Sequence, residues 1–256
     1  MARSERSLLR QSGADAARLQ RDGWGIGWYE RGRVKLVKSP RPVYEEKRKF
    51  AAVAGSAVSR AAIAHTRWMS NPLGLPREKL LSEANTQPFS WGNIIFAHNG
   101  ALNIPLEIRA RLGRYAGMPR GDNDSEAMFW HFIKHLSGTG DFRRAIENSL
   151  REIWRIWRAM PAKTRPAAPY KGMNIFASDG KTLFALRRSN SDKEALCSPG
   201  WNYGAIAWRL EKGRLIAASE PLDGGHWNML EDRQLLAATP GRTQPDVQIS
   251  HIGDNL

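Results

Sequence analysis

Asp22-Gly23-Trp24-Gly25-Ile26-Gly27-Trp28-Tyr29 decides how the rest of the chain is read. Large apolar side chains at Trp24, Ile26 and Trp28 alternate with glycines, and a period of two is that of a β-strand. One face of this strand is bulky. The other is bare backbone, which a second strand or a ligand can approach closely. Arg31-Gly32 turns the chain into a hairpin partner at Val34 to Val37. Upstream lies a polar, Arg-rich lead whose one apolar pair is Leu8-Leu9.

Beyond the break at Pro40 to Pro42, the spacing of Phe50, Val53, Ala54 and Val58 predicts a helix, and Ile63 to Trp68 returns to strand character. Ser70 to Phe89 carries Pro72, Pro76 and Pro88 and predicts a loop without its own element, long enough to suggest function. Trp91 to Ala97 reads as a buried strand ending at His98-Asn99-Gly100, and Pro105 opens a helix through Leu112. Asp122 or Asn123 caps a helix with a stripe of Met128, Phe129, Phe132, Ile133 and Leu136. A longer amphipathic helix follows, with Phe142, Ile146, Leu150, Ile153, Trp154 and Trp157 on its core face, and Ala162 to Pro169 links it onward. Two hairpins come next: Met173–Ala177 with Thr182–Leu186 around Asp179-Gly180, and Gly204–Leu210 with Arg214–Ala218 around Lys212-Gly213. A last strand near Leu235–Ala238 precedes a polar tail. Strands, then helices, then strands predict an α+β domain rather than an alternating parallel fold.

The 256 residues, 41% apolar and 25% charged, suffice for one large core, so residues 1–256 are read as a single domain with irregular ends at 1–6 and 245–256. No apolar run approaches a membrane span and no secretory leader is evident, which predicts no membrane partner and a cytoplasmic location. Cys197 is the one cysteine, so no disulfide framework or multi-cysteine zinc site is expected. The net charge of +14 is spread over Arg31–Arg48, Arg109–Arg120, Arg143–Arg165 and Arg187-Arg188. Without a basic block or an aromatic-basic motif it reads as a solvated surface, and nucleic acid is not the expected partner.

Four segments carry chemistry: Asp22 to Tyr29; Ala64-His65-Thr66-Arg67-Trp68; Phe96-Ala97-His98-Asn99-Gly100; and Gly121-Asp122-Asn123-Asp124-Ser125-Glu126. In this order, and with Ile216-Ala217-Ala218-Ser219-Glu220-Pro221-Leu222 as a closing segment, the chain resembles the class II glutamine amidotransferases from about residue 7 to about residue 240. With no synthase domain following, it most resembles the stand-alone γ-glutamyl hydrolases of ergothioneine synthesis and glutathione breakdown. The resemblance implies an N-terminal-nucleophile hydrolase fold, a four-layer αββα sandwich. It also implies glutamine or a γ-glutamyl small molecule as ligand, no cofactor or metal, and a synthase partner where ammonia is passed on.

Hydrolysis of a side-chain amide needs a nucleophile, a base, and donors aimed at the oxyanion that develops on the amide oxygen. Asn99 with its side-chain NH₂ and Gly100 with its unshielded backbone N–H suit an oxyanion hole, although Asn-Gly equally suits a hairpin turn. By resemblance, Arg67 binds the α-carboxylate and Asp124 the α-ammonium of glutamine, and Trp68, Ser70 and Asn71 lie on the substrate side. Read on their residue types alone, Arg67 is equally an ion pair within the sheet, and Asp124 a favourable charge in a helix's first turn. Gln87 stands where the family commonly has a histidine before Pro-Phe, and His65 and His98 are read as structural.

The family's nucleophile is a cysteine exposed after Met removal, with its own α-amino group as base, whose ordinary pKa near 8 suits neutral pH. Here Ala2 is in second place, Cys197 is internal, and only six residues precede Ser7-Leu8-Leu9, before which relatives carry a cysteine-bearing strand. The sequence is therefore read as an amidohydrolase shortened at its N-terminus and lacking its first strand, the alternative being a non-catalytic glutamine-binding relative.

Overall fold

The computed structural model describes residues 1–189 and 193–253. Its elements run α1 (Leu8–Gln11), β1 (Trp24–Glu30), β2 (Arg33–Ser39), α2 (Lys47–Ser56), β3 (Ala62–Thr66), α3 (Arg77–Leu80), β4 (Phe89–Trp91) and β5 (Ile94–Leu102). Then come α4 (Pro105–Arg109), α5 (Asp124–Thr139), α6 (Phe142–Arg158), β6 (Tyr170–Ser178) and β7 (Leu183–Leu186). The chain closes with β8 (Ala207–Glu211), β9 (Arg214–Ala218), β10 (Asn228–Met229), β11 (Gln234–Thr239) and β12 (Asp246–His251).

The strands form a six-stranded sheet ordered β12-β11-β7-β6-β5-β4 and two three-stranded sheets, β2-β1-β3 and β10-β8-β9. Alternation along β5 explains the layering. Ile94 and Phe96 face α5 and α6 in the main core, whereas Ile95 and Ala97 face Ile63 of β3 on the other side. The sheet β10-β8-β9 covers the β7 and β11 end of that same side through Ile206, Trp208, Leu215 and Ala217. Trp24, Ile26 and Trp28 turn outward from β1 onto Phe50 of α2, with Leu8 and Leu9 alongside. Helices, sheet, paired sheets and helix thus make an α+β sandwich in four layers.

Why Trp24 to Trp28 must alternate with glycine is visible in the packing. A Cβ on Gly25 would lie 2.3 Å from the Gln87 carbonyl oxygen, and one on Gly27 would lie 2.9 Å from Ile95 Cγ2. The bare face is pressed against the six-stranded sheet.

Several expectations need correction. Trp91 to Ala97 is not one strand: Gly92, at φ 56°, turns the chain between β4 and β5. β5 then runs through Asn99 and Gly100 to Leu102, so Asn-Gly is not a hairpin turn here. The helix from Pro105 stops at Arg109 and a short 3₁₀ turn, Gly113–Tyr115, follows. The Ser70 to Phe89 loop contains α3, and α2 ends before Val58, which is exposed. The tail is not irregular, since β12 pairs along β11 from Gln234 opposite His251 to Thr239 opposite Asp246; residues 254–256 lie outside the described residues.

Candidate active site

Three chain segments meet where β5 ends: the residues after β3, the loop before β4, and the N-terminus of α5. The last is built by side chains that replace backbone partners. Asn123 caps α5 by accepting from the Ser125 N–H, a donor the helix start leaves bare, while Glu126 reaches back to accept from the Arg120 and Gly121 N–H groups of the preceding loop. Asn85, from the loop, accepts at Oδ1 from the Asp122 and Asn123 N–H groups at 2.7 and 2.8 Å, tying the loop to the helix.

This fixes Asp124. Its Oδ2 accepts from the Leu102 N–H at 2.7 Å and its Oδ1 from the Ser70 hydroxyl at 2.6 Å, and the residue is 2% exposed. The segment carrying Ser70 is held by Asp22, whose carboxylate accepts from the Met69 N–H at 2.9 Å and from Arg77 at 2.6 Å.

Arg67 sits between Asp22 and Asp124 and is 3% exposed. Its guanidinium donates to the Leu80 carbonyl at 2.7 Å and, at 3.5 Å, to the Asp22 carbonyl. No carboxylate among the described residues lies within ion-pair distance of it. Burial disfavours its charge, and the nearby Asp22 and Asp124 carboxylates oppose that effect through space. The in-sheet ion pair considered from sequence is therefore not what is found. A buried cation with only neutral partners keeps an unmet demand for an anion.

Asn99 follows Ile95 and Ala97 in alternation and so faces the space between the sheets, toward the layer that holds β3. Its side chain is half-buried and makes no hydrogen bond among the described residues. Gly100, at φ 153°, lies at the bulge where the pairing with β6 shifts register; a Cβ there would be 2.1 Å from the Gly172 carbonyl oxygen. Just before them the Gln87 side chain brackets His98, donating to its carbonyl at 2.8 Å and accepting from its N–H at 2.6 Å. Sequence reading missed this role, as it missed those of Asp22 and Asn85.

The other expected residues divide. Ser70 joins the centre through Asp124, but Asn71 spends its amide on its own loop, bonding the Leu75 N–H and carbonyl, and Trp68 is 49% exposed. His98 is buried, bonded at Nδ1 to Ser125 Oγ at 2.9 Å. His65 has a buried Nδ1 without a partner, and burial, with Arg67 nearby, lowers its pKa to about 3, so it is neutral. Cys197 is half-buried, and burial together with Glu220 pushes its thiol pKa up, the opposite of an activated nucleophile.

Among the described residues no helix is long and apolar enough to cross a membrane. In overall fold the chain is similar to a glutamine aminotransferase class-II domain protein from Silicibacter pomeroyi. The TM-score is 0.61 at 17% identity, over 91% of this chain and 92% of that one. It is equally similar, at 0.61 and 16% identity, to the glutamine phosphoribosylpyrophosphate amidotransferase of B. subtilis, spanning 97% of this chain but 47% of that enzyme. In sequence it is 25% identical to the probable glutamine amidotransferase DUG3 of Saccharomyces cerevisiae, across 92% of this chain and 76% of that protein. Residues 6–197, which contain Arg67, Asn99, Gly100 and Asp124, match the Glutamine amidotransferases class-II family, and the chain belongs to that family.

Proposed function

We propose that this chain receives glutamine or a γ-glutamyl compound at the Arg67–Asp124 centre and belongs to an enzyme that hydrolyses its side-chain amide. The observation that carries the reading is Arg67, a guanidinium 3% exposed whose partners are carbonyls. An incoming α-carboxylate would take over its donors in a paired geometry that guanidinium favours. Asp124 would exchange the Ser70 hydroxyl at Oδ1 for the α-ammonium, with Ser70 remaining as a second partner. The side-chain amide then extends toward Asn99 and Gly100, whose N–H donors would meet the oxyanion, each worth about 3 kcal/mol of barrier.

The nucleophile we assign to a cysteine with a free α-amine, carried on a strand preceding this sequence. Its thiolate attacks the amide carbon, the amine relays the thiol proton to the departing ammonia or amine, and water cleaves the thioester. Room for that strand is supported by the sheet order, in which, among the described residues, β3 pairs only with β1 and β9 only with β8, both on the same side of the six-stranded sheet. Ammonia released here is available to a synthase partner.

Calorimetry with L-glutamine tests the binding step. Saturable binding is expected, falling at least about tenfold in Arg67→Met, whose fold is checked by circular dichroism; loss of the donor to the Leu80 and Asp22 carbonyls should cost about 1 to 3 kcal/mol of stability. Absence of binding by the folded chain overturns the reading. Ammonia release from glutamine by a chain beginning with the upstream cysteine tests the chemistry. Binding without release favours the non-catalytic relative, a reading supported by the unreactive setting of Cys197.

A further inference from the structure

We propose that His131, His135 and Glu152 form a site for a divalent transition-metal ion, Zn²⁺ by preference, joining α5 to α6. His131 and His135 are four residues apart on α5 and so share one face of the helix. Glu152 reaches them from α6, and its Oε2 lies 3.0 Å from His131 Nε2 and 2.8 Å from His135 Nε2. The three donor atoms lie within 4.8 Å of one another. An ion held at about 2.0–2.1 Å would space them at roughly 3.4 Å, so the widest pair must close by about 1.4 Å while the Glu152 oxygen backs away by about half an ångström.

The surroundings prepare the donors. His131 Nε2 donates to Glu152, and Nδ1 lies 2.7 Å from the hydroxyl of the buried Ser149, which can accept the proton at Nδ1 when an ion takes Nε2. Glu152 Oε2 also holds the Lys134 ammonium at 2.7 Å, so a cation already occupies part of the place. The Lys134 side chain is 29% exposed and can swing to water when an ion displaces it. A shallow groove of about 250 Å³, lined by His135, Asn148, Arg151, Glu152 and Arg155, leaves a fourth coordination position open to solvent. Two imidazoles and one carboxylate suit Zn²⁺ and its neighbours rather than Mg²⁺ or Ca²⁺, which take oxygen ligands.

This inference is independent of the glutamine reading and needs no substrate to test. The chelator-stripped full chain is titrated with Zn²⁺ alone against a chromophoric chelator, and separately with Co²⁺ to read its visible absorption. One ion per chain is expected at about micromolar affinity or better, with Co²⁺ bands of a low-coordinate nitrogen and oxygen site. His135→Ala and Glu152→Gln, checked as folded by circular dichroism, should each weaken binding at least about tenfold. Lys134→Ala should strengthen it, and His226→Ala and His251→Ala should leave it unchanged. Binding weaker than about 100 μM, or binding unaltered in both His135→Ala and Glu152→Gln, overturns the proposal.

Discussion

The two polar centres of this molecule handle buried charge in opposite ways. At the end of β5, Arg67 and Asp124 are each almost fully buried yet not bonded to one another; the cation donates to carbonyls and the anion accepts from Ser70 and Leu102. Between α5 and α6, Glu152 gathers His131, His135 and Lys134 on a single oxygen. The first arrangement leaves each charge short of a countercharge, which is what a receptor for a zwitterion requires. The second meets the charge internally and works as a clamp, open only to a cation stronger than an ammonium. Burial alone therefore says little about purpose; the partner each charge lacks says more.

The sharpest way to break this contrast is at the backbone that positions the first centre. Gly100→Ala drives a Cβ to 2.1 Å from the Gly172 carbonyl oxygen, so β5 and β6 must part at the bulge. A loss of about 3 kcal/mol is expected in urea unfolding, along with any glutamine binding. A variant of wild-type stability would mean that the bulge is soft and the donor pair is not held in place.

The next effect is one of pH. His65 has a folded pKa of about 3 against an ordinary value of 6.5, because burial and the neighbouring Arg67 and His98 oppose its charge. Below pH 6.5 the unfolded chain takes up a proton that the folded chain refuses. This imidazole's contribution is thus intact above pH 6.5 and declines as pH falls toward 3, by about 1.4 kcal/mol per pH unit while it remains neutral in the fold. Urea midpoints of His65→Gln should fall less steeply than wild type over that window, and parallel curves would refute the assignment. The clamp is probed by Glu152→Gln without metal. With Lys134 and two imidazoles left without their carboxylate, about 1 to 2 kcal/mol of stability should be lost in the same assay.

How much of this was legible in the sequence depends on where each constraint resides. The glycines of β1 announce a close approach because the constraint is steric and local, and Gly25 and Gly27 meet Gln87 and Ile95 as a bare face predicts. Asn123 as the cap of α5 is equally local. β12 was hidden because it is a mostly exposed edge strand in which only Val247 and Ile249 alternate with polar residues, too short a signal to separate it from the tail, and its place is set by pairing with β11. The β4–β5 turn, Gly92-Asn93, is a hairpin dipeptide and was readable; the apolar residues on either side of it, Trp91 and Ile94 to Ala97, drew it into one strand. Gln87 and Asn85 act by side chain on backbone that lies far along the chain, and no local pattern encodes this. His131 and His135 at helical spacing were readable in principle. Their partner Glu152 stands on the next helix, and the stripe around them reads first as core.

The smallest expected effect bears on how the receptor is kept closed when empty. Ser70 donates to Asp124 Oδ1 at 2.6 Å, and this contact stands in for the ligand's ammonium. Removing the hydroxyl leaves Asp124 with the Leu102 N–H at Oδ2 and the first turn of α5 beneath it, so the carboxylate stays in place with one acceptor position open. Ser70→Ala should cost about 1 kcal/mol or less of stability, the net worth of one hydrogen bond. If Ser70 also contacts the bound ammonium, glutamine affinity falls by about three- to tenfold, and calorimetry resolves that range. A variant that binds glutamine more tightly than wild type would show instead that the hydroxyl competes with the ligand for Asp124, and would move Ser70 from the binding groups to the groups that bar the empty site.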